Sequence, residues 1–398
     1  MGAKRTLRKL FLFLVFSLLF FLMLYNSGIA STGREDISKV AVAAGKEHSV
    51  VLRADGTVWA WGNNSFGQLG NGTIQNSAKP VRVRELDEVI AIAAGDYHTI
   101  ALRFDGTVWA WGDNSYNQLG IKKDQDDVST LTKCKPVQVK HLTKVISIAA
   151  GARHNLALRS DGTVRAWGDN SYGQLGDGTK ESRESIRHVA YLGKTQAISA
   201  AGFSSAALLT DGTIRTWGAN RHGHLGNGRR TGTQLLTARV EDLTTVTAVS
   251  MGTEHMVVLK EDGTVWAWGN NTSGQLGDGT RFNRLQPVKV RHVENALSIA
   301  AGEVHTLAVT SDGTVWAWGG NSYGQLGDGT TRDRPVPVNQ KELQEIICIA
   351  AGDEHSLALD ANGSIWAWGS NWSGYLGNDS TKSSNIPVKA LLNLNDAT

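Results

Sequence analysis

Two cysteines in 398 residues are too few for a disulfide framework, so the fold must be held by packing. Cys134 sits in a segment that lengthens one part of the chain. Cys348 takes a place held elsewhere by Ala91 and Ser147, as a small apolar residue would. Proline is scarce at 6 residues while glycine reaches 45, a balance that suits many short strands joined by tight turns. No Gly-Lys-Ser phosphate loop, dinucleotide fingerprint, Gly-x-Ser-x-Gly elbow or His-Glu-x-x-His pair occurs, which leaves the enzyme classes they mark without support. Net charge is also nearly absent. The formal +3 comes from Lys4, Arg5, Arg8 and Lys9. Without the first 30 residues, which hold no acid, 36 basic residues face 37 acidic ones, a net of −1. Such a body has no general electrostatic reason to bind nucleic acid.

The N-terminus reads as an export signal. The basic stretch is followed by fifteen residues, Leu10 to Leu24, apolar except for Ser17, and then by Gly28-Ile29-Ala30 as a small-x-small cleavage site. The run is short of the roughly 20 residues that span a bilayer. Residues 1–30 are therefore expected to be a signal peptide, with an uncleaved anchor as the alternative and the only membrane contact. Residues 31–398 are the mature, secreted or cell-surface chain.

What is abundant is repetition. The second copy reads Ala93-Ala94-Gly95-Asp96-Tyr97-His98, then Asp105-Gly106-Thr107-Val108-Trp109-Ala110-Trp111-Gly112, then Gln118-Leu119-Gly120. The Trp-Gly pair recurs at Trp61, Trp111, Trp167, Trp217, Trp268, Trp318 and Trp368, at spacings of 50, 56, 50, 51, 50 and 50 residues. A period near fifty signals a propeller or a solenoid. Each unit reads as four strands: Val89 to Ala94, Thr99 to Arg103, Thr107 to Trp111, and a fourth opened by proline, as at Pro80, Pro136 and Pro287. Asp-Gly or Asn-Gly joins the second and third strands in every copy, a hairpin signal that predicts positive φ at both central residues. Seven such units, starting near 40, 90, 146, 197, 247, 297 and 347, predict an all-β, seven-bladed β-propeller.

The unit closely resembles the regulator of chromosome condensation repeat, over residues 40 to about 391. That resemblance implies a seven-bladed propeller, and its family namesake is a nuclear exchange factor for a small GTPase that docks on chromatin. The chain lacks the long basic tail and the nuclear setting those roles would use. The secreted β-lactamase inhibitor protein II, similar in fold, binds its target enzyme with one face of the ring and is the nearer analogy.

Sevenfold recurrence marks most conspicuous residues as scaffold. His48, His98, His154, His255, His305 and His355 are expected to bridge backbone groups between strands or blades. The recurring tryptophans are expected to pack between blades. Departures from the repeat are the candidates for function. Arg165 and Arg215 replace the first Trp in copies three and four. Copy four also reads Gly202-Phe203-Ser204-Ser205 where His is expected, followed by Arg221-His222-Gly223-His224 and Arg229-Arg230. With the extra Trp372, these residues (Arg165, Arg215, Arg221, His222, His224, Arg229, Arg230) are the candidate partner-binding set, the cationic ones forming a basic patch. His222 and His224 are a weak metal pair. The insertion Ile121 to Lys135 is a further contact candidate.

The reading is an exported monomeric propeller without enzymatic activity, cofactor or metal. It engages a protein, or alternatively a polysaccharide, through loops on one ring face. The alternative is an exchange-factor-like regulator of a small GTPase.

Overall fold

The computed structural model describes residues 40–121 and 131–394. The expected signal segment and most of the second-copy insertion lie outside those residues. Twenty-eight strands, numbered β1 to β28 in chain order, form seven four-stranded antiparallel sheets, and the described residues contain no helix. The first blade is β1 (Ala41–Ala44), β2 (His48–Leu52), β3 (Val58–Gly62) and β4 (Ser77–Arg82). Every other sheet likewise takes four consecutive strands, so no blade mixes N- and C-terminal strands. The ring closes by packing: Val42, Val51 and Trp61 of the first blade share a core with Leu357, Leu359, Ile365 and Leu392 of the seventh.

The strand pattern explains the order within a blade. The Ala-Ala-Gly strands run nearest the axis because the blades crowd there. A Cβ on Gly95 would lie 2.5 Å from the Gly151 carbonyl oxygen of the next blade, so nothing larger than glycine fits. The second strands are buried throughout, as in His98–Arg103, where only the last residue reaches partial exposure. In the third strands the second Trp is fully buried, while the first is half-buried toward the rim.

Three local expectations are corrected. The Asp-Gly hairpins have positive φ only at glycine, as at Gly56 (φ 80°). Gly56 N–H donates to the Arg53 carbonyl across a turn centred on Ala54 and Asp55. The connection is a three-residue loop with a left-handed glycine, and Asp55 Oδ1 holds it by accepting from Thr57 N–H (2.8 Å) and Thr57 Oγ1 (2.7 Å). The prolines are also not at strand starts: Pro80 is the fourth residue of β4. The register slips there, since Ala60 faces Val81 but Gly62 faces Ser77. The bulged outer strand leaves positions without a ladder partner, and these accept the missing N–H. Cys134, expected in a loop, lies on β8 (Thr132–Gln138).

Antiparallel alternation gives the ring two faces. The Gly-x-x-His turns and the Asn-Ser-Tyr-Gly-Gln-Leu-Gly loops open on one, called here the loop face. The Asp-Gly hairpins and the turns between blades open on the other, the turn face.

Candidate functional site

The recurring histidines and tryptophans lie inside the seams. His48, His98, His154, His255, His305 and His355 are fully buried. Each places Nε2 on a side chain of the next blade: Thr99 (3.0 Å), Asn155 (2.8 Å), Ser205 (2.8 Å), Thr306 (2.9 Å), Ser356 (2.9 Å) and Ser49 (3.1 Å). The partner is thus a side chain rather than the expected backbone group. That partner donates onward, as Thr99 Oγ1 does to the Gln68 carbonyl at 3.0 Å. The same carbonyl accepts the Trp111 indole N–H at 2.8 Å. Because the hydroxyl spends its proton on the carbonyl, Nε2 must be the donor, which fixes the neutral tautomer. Burial holds His48, His255, His305 and His355 down to about 3 and His154 to about 4, so these imidazoles are neutral.

The staple fails once. Ser204 stands at the histidine position of the fourth blade, and Met256 stands where the fifth blade would supply the hydroxyl. His224, from the loop position that is glutamine in most copies, turns inward instead and sets Nε2 on Ser204 Oγ at 2.9 Å. His224 is 2% exposed. Its placement as a surface contact or metal ligand is therefore corrected. His222 faces elsewhere, with Nε2 3.3 Å from Glu254 Oε1. No group of histidine, cysteine and carboxylate side chains able to hold a metal is found among the described residues.

The loop face is polarised. Across blades two to four runs a row in which Arg153 lies 4.2 Å from the Tyr116 ring centroid and 5.9 Å from that of Phe203. Phe203 packs on Tyr172 at 5.1 Å, and Arg221 covers Tyr172 at 5.5 Å while donating to its hydroxyl at 3.3 Å. Phe66 and Tyr97 form a similar tilted pair at 5.1 Å between blades one and two. The axial mouth, a cavity of about 100 Å³, is lined by Lys46, Asp96, Thr253 and Asp353. Burial, with Asp96 and Glu303 nearby, pushes the Asp353 carboxyl well above the ordinary range despite Lys46 at 3.9 Å. Burial likewise raises Asp96, Glu303 and Glu354. Cations and aromatics thus gather on one side, carboxylates at the centre and on the other.

The expected basic patch divides. Arg221, His222, Arg229 and Arg230 reach the loop face, and Trp372, 71% exposed, stands in a loop of the seventh blade on that face. Arg165 and Arg215 are half-buried and follow the Asp161 and Asp211 hairpins, at the opposite ends of their strands. The six residues do not form one surface, because the strand length separates the two groups. Sequence reasoning passed over Arg153, Phe203 and Tyr97, although the two positions before the repeated histidine vary in every copy and so signalled a surface free of packing duty.

The fold is that of a seven-bladed propeller with an open loop face. A family model for the RCC1-like domain matches residues 28–202 and 192–398, and the chain belongs to that family. It is 30% identical over 263 residues (65% of this chain) to the human E3 ubiquitin-protein ligase HERC2, covering 5% of it. It is 32% identical over 250 residues (63% of this chain) to the ultraviolet-B receptor UVR8 of Arabidopsis thaliana, covering 45% of it. The chain therefore spans under half the length of either relative. Among solved structures, yeast RCC1 (Prp20) bound to Kap60 superposes with a TM-score of 0.75 at 21% identity, over 91% of this chain and 89% of the other. Human WBSCR16 gives 0.73 at 24% identity, over 81% and 87%.

Proposed function

We propose that this RCC1-like propeller is an exported, monomeric, non-enzymatic binding module that docks a protein partner on its loop face. The observation that carries the reading is the row from Tyr116 through Arg153, Phe203 and Tyr172 to Arg221. Aromatic and arginine side chains are the types enriched at interface hot spots. Here each guanidinium is pre-ordered on a ring, so little freedom remains to be lost on binding. The structures of yeast RCC1 and Prp20p name Kap60, Gsp1p and histones as what those propellers were studied with, which supports a protein as the ligand class. Export rests on the basic and apolar pattern of residues 1–30.

Affinity capture from the native extracellular fraction, followed by mass spectrometry, tests the proposal. Wild-type protein should retain a saturable partner that the paired change Arg153→Ala and Arg221→Ala loses and that Arg239→Ala, on a different part of the ring, keeps. Equal retention by the paired variant refutes the loop-face reading. Recovery of a glycan alone favours a polysaccharide ligand. A chain that stays in the cytosol with residues 1–30 intact favours the exchange-factor alternative.

A further inference from the structure

The seams between blades one and two and between blades two and three are built from the same repeat positions but differ in two of them. In the first seam the half-buried Trp109 packs against the core that holds Val83, Leu86 and Val89. Arg103 donates from Nε to the Asp87 carbonyl at 3.0 Å and from Nη2 to Glu88 at 2.6 Å. In the second seam Arg165 replaces that Trp and Lys144 replaces Glu88. Arg159, the counterpart of Arg103, keeps the backbone bond, Nε to the Thr143 carbonyl at 3.1 Å, but has no glutamate to meet.

A cleft of about 370 Å³ opens in the second seam, with Arg165 in its lining at the repeat position that Trp109 holds in the first. Lys140, His141, Arg159 and Arg165 line it, with Thr143 and Ser185 as polar neighbours. The turn that forms its rim, residues 140–144, contains no acid, whereas the same turns after blades one, four, five and six each carry at least one. Among the described side chains the acid nearest these cations is Asp161, whose Oδ2 lies 3.0 Å from Arg159 Nη1 and whose Oδ1 is occupied by Thr163. Among the described residues the side chains of Arg165 and Lys140 make no hydrogen bond or close ion pair, although the Thr163 hydrogen bonds, and then the charges of Arg159 and Arg165 together, lower the Asp161 carboxyl. A concave site with low-dielectric walls and unmatched positive charge focuses its field on an anion. A volume of this size accepts a small group rather than a chain segment. Two guanidinia and an ammonium suit a tetrahedral oxyanion, since arginine offers paired donors to its edges.

We propose that this cleft on the turn-face side of blades two and three binds a phosphate monoester or free phosphate, independently of the loop face. The ligand sits between Arg165 and Lys140, with Arg159 shared between it and Asp161.

Titration calorimetry of the full chain with inorganic phosphate, inorganic sulfate and O-phosphoserine tests the assignment. Phosphate should bind saturably at millimolar concentration and more weakly as ionic strength rises. Arg165→Trp, which restores the residue of the neighbouring seam, should abolish saturation, and Lys140→Ala should weaken it about tenfold, the scale of one lost charge-assisted contact. Arg221→Ala on the loop face should leave it unchanged. Tighter binding of O-phosphoserine than of phosphate identifies an ester as the ligand, and the reverse order a free ion; either supports the site. Melting temperatures check that each variant folds, and Arg165→Ala substitutes for Arg165→Trp if the larger side chain does not. Equal phosphate binding by wild type and by a folded Arg165 variant, or no saturation in wild type, overturns the proposal.

Discussion

Lowering the pH from 7 to 5 should strip the ring of most of its stability, and the seam histidines set the size of the effect. His48, His255, His305 and His355 are held near 3, and His154 and His224 near 4, by burial. An unfolded histidine titrates near 6.5. Each folded pKa is depressed, so below 6.5 the unfolded chain binds protons that the folded chain refuses, and stability falls as pH falls. Relative to pH 7, each group then costs about 1.3 kcal/mol at pH 5.5 and about 1.9 kcal/mol at pH 5. For six groups the losses are about 8 and about 11 kcal/mol, comparable with the whole stability of an ordinary domain. Asp96, Glu303, Asp353 and Glu354 act in the opposite sense: their pKa values are raised, so protonation in the folded state relieves repulsion as pH falls. They can offset at most four of the six protons, leaving a net uptake of at least about two on unfolding across this window. Urea unfolding followed by tryptophan fluorescence at half-unit pH steps measures that slope. His305→Gln should lower stability at pH 7 yet flatten the slope by about one proton. A urea midpoint that is the same at pH 7 and pH 5 would refute the claim that the imidazoles are buried neutral.

Trp111→Ala removes a fully buried indole and the donor to the Gln68 carbonyl, and should cost about 3–5 kcal/mol in denaturant unfolding. Gly95→Ala drives a methyl against the Gly151 carbonyl of the next blade, and should reduce the yield of folded protein far more than Gly228→Ala, whose Cβ meets nothing within 4 Å although Gly228, unlike Gly95, has a positive φ. The paired change Ser204→His and Met256→Thr rebuilds the missing staple between blades four and five. It displaces His224 from Ser204, so near-ultraviolet circular dichroism should report a changed fourth blade, and Met256→Thr alone should be destabilising by about 1–3 kcal/mol through the apolar packing lost at a buried position.

The ring was legible in the sequence because its information is periodic. Trp61 and its six counterparts repeat at the period of one blade, and the Ala-Ala-Gly strands repeat with them. What was illegible is decided between blades. Arg153 meets Tyr116 and Phe203 only once three consecutive blades are stacked side by side, and no spacing within one repeat announces that contact. The Asp-Gly hairpin was misread for a different reason. Asp-Gly suits a two-residue turn with two positive φ values, but here the Thr after glycine caps the aspartate and selects the longer loop. His224 could have been placed from sequence: a histidine appears in the glutamine slot of the one blade that lacks its seam histidine, so loss and compensation lie within 21 residues.

That compensation also separates the two kinds of departure from the repeat. At Ser204, His224 and Met256 three changes answer one another: a lost imidazole, one supplied from the next loop, and a hydroxyl no longer needed across the seam. A scaffold drifting under the need to fold leaves such balanced sets. Arg165 and Lys144 are not balanced in that way, since a packing aromatic and a counter-ion are both lost and two cations gained in their place. Arg153 and Arg221 likewise satisfy no buried group, yet they are ordered on aromatic rings at the surface. Unanswered charge retained in a precise geometry costs the fold solvation and repulsion without returning stability. Among the described residues the loop-face row and the cleft between blades two and three carry such charge, and these are the two places where the proposed binding would account for what folding does not.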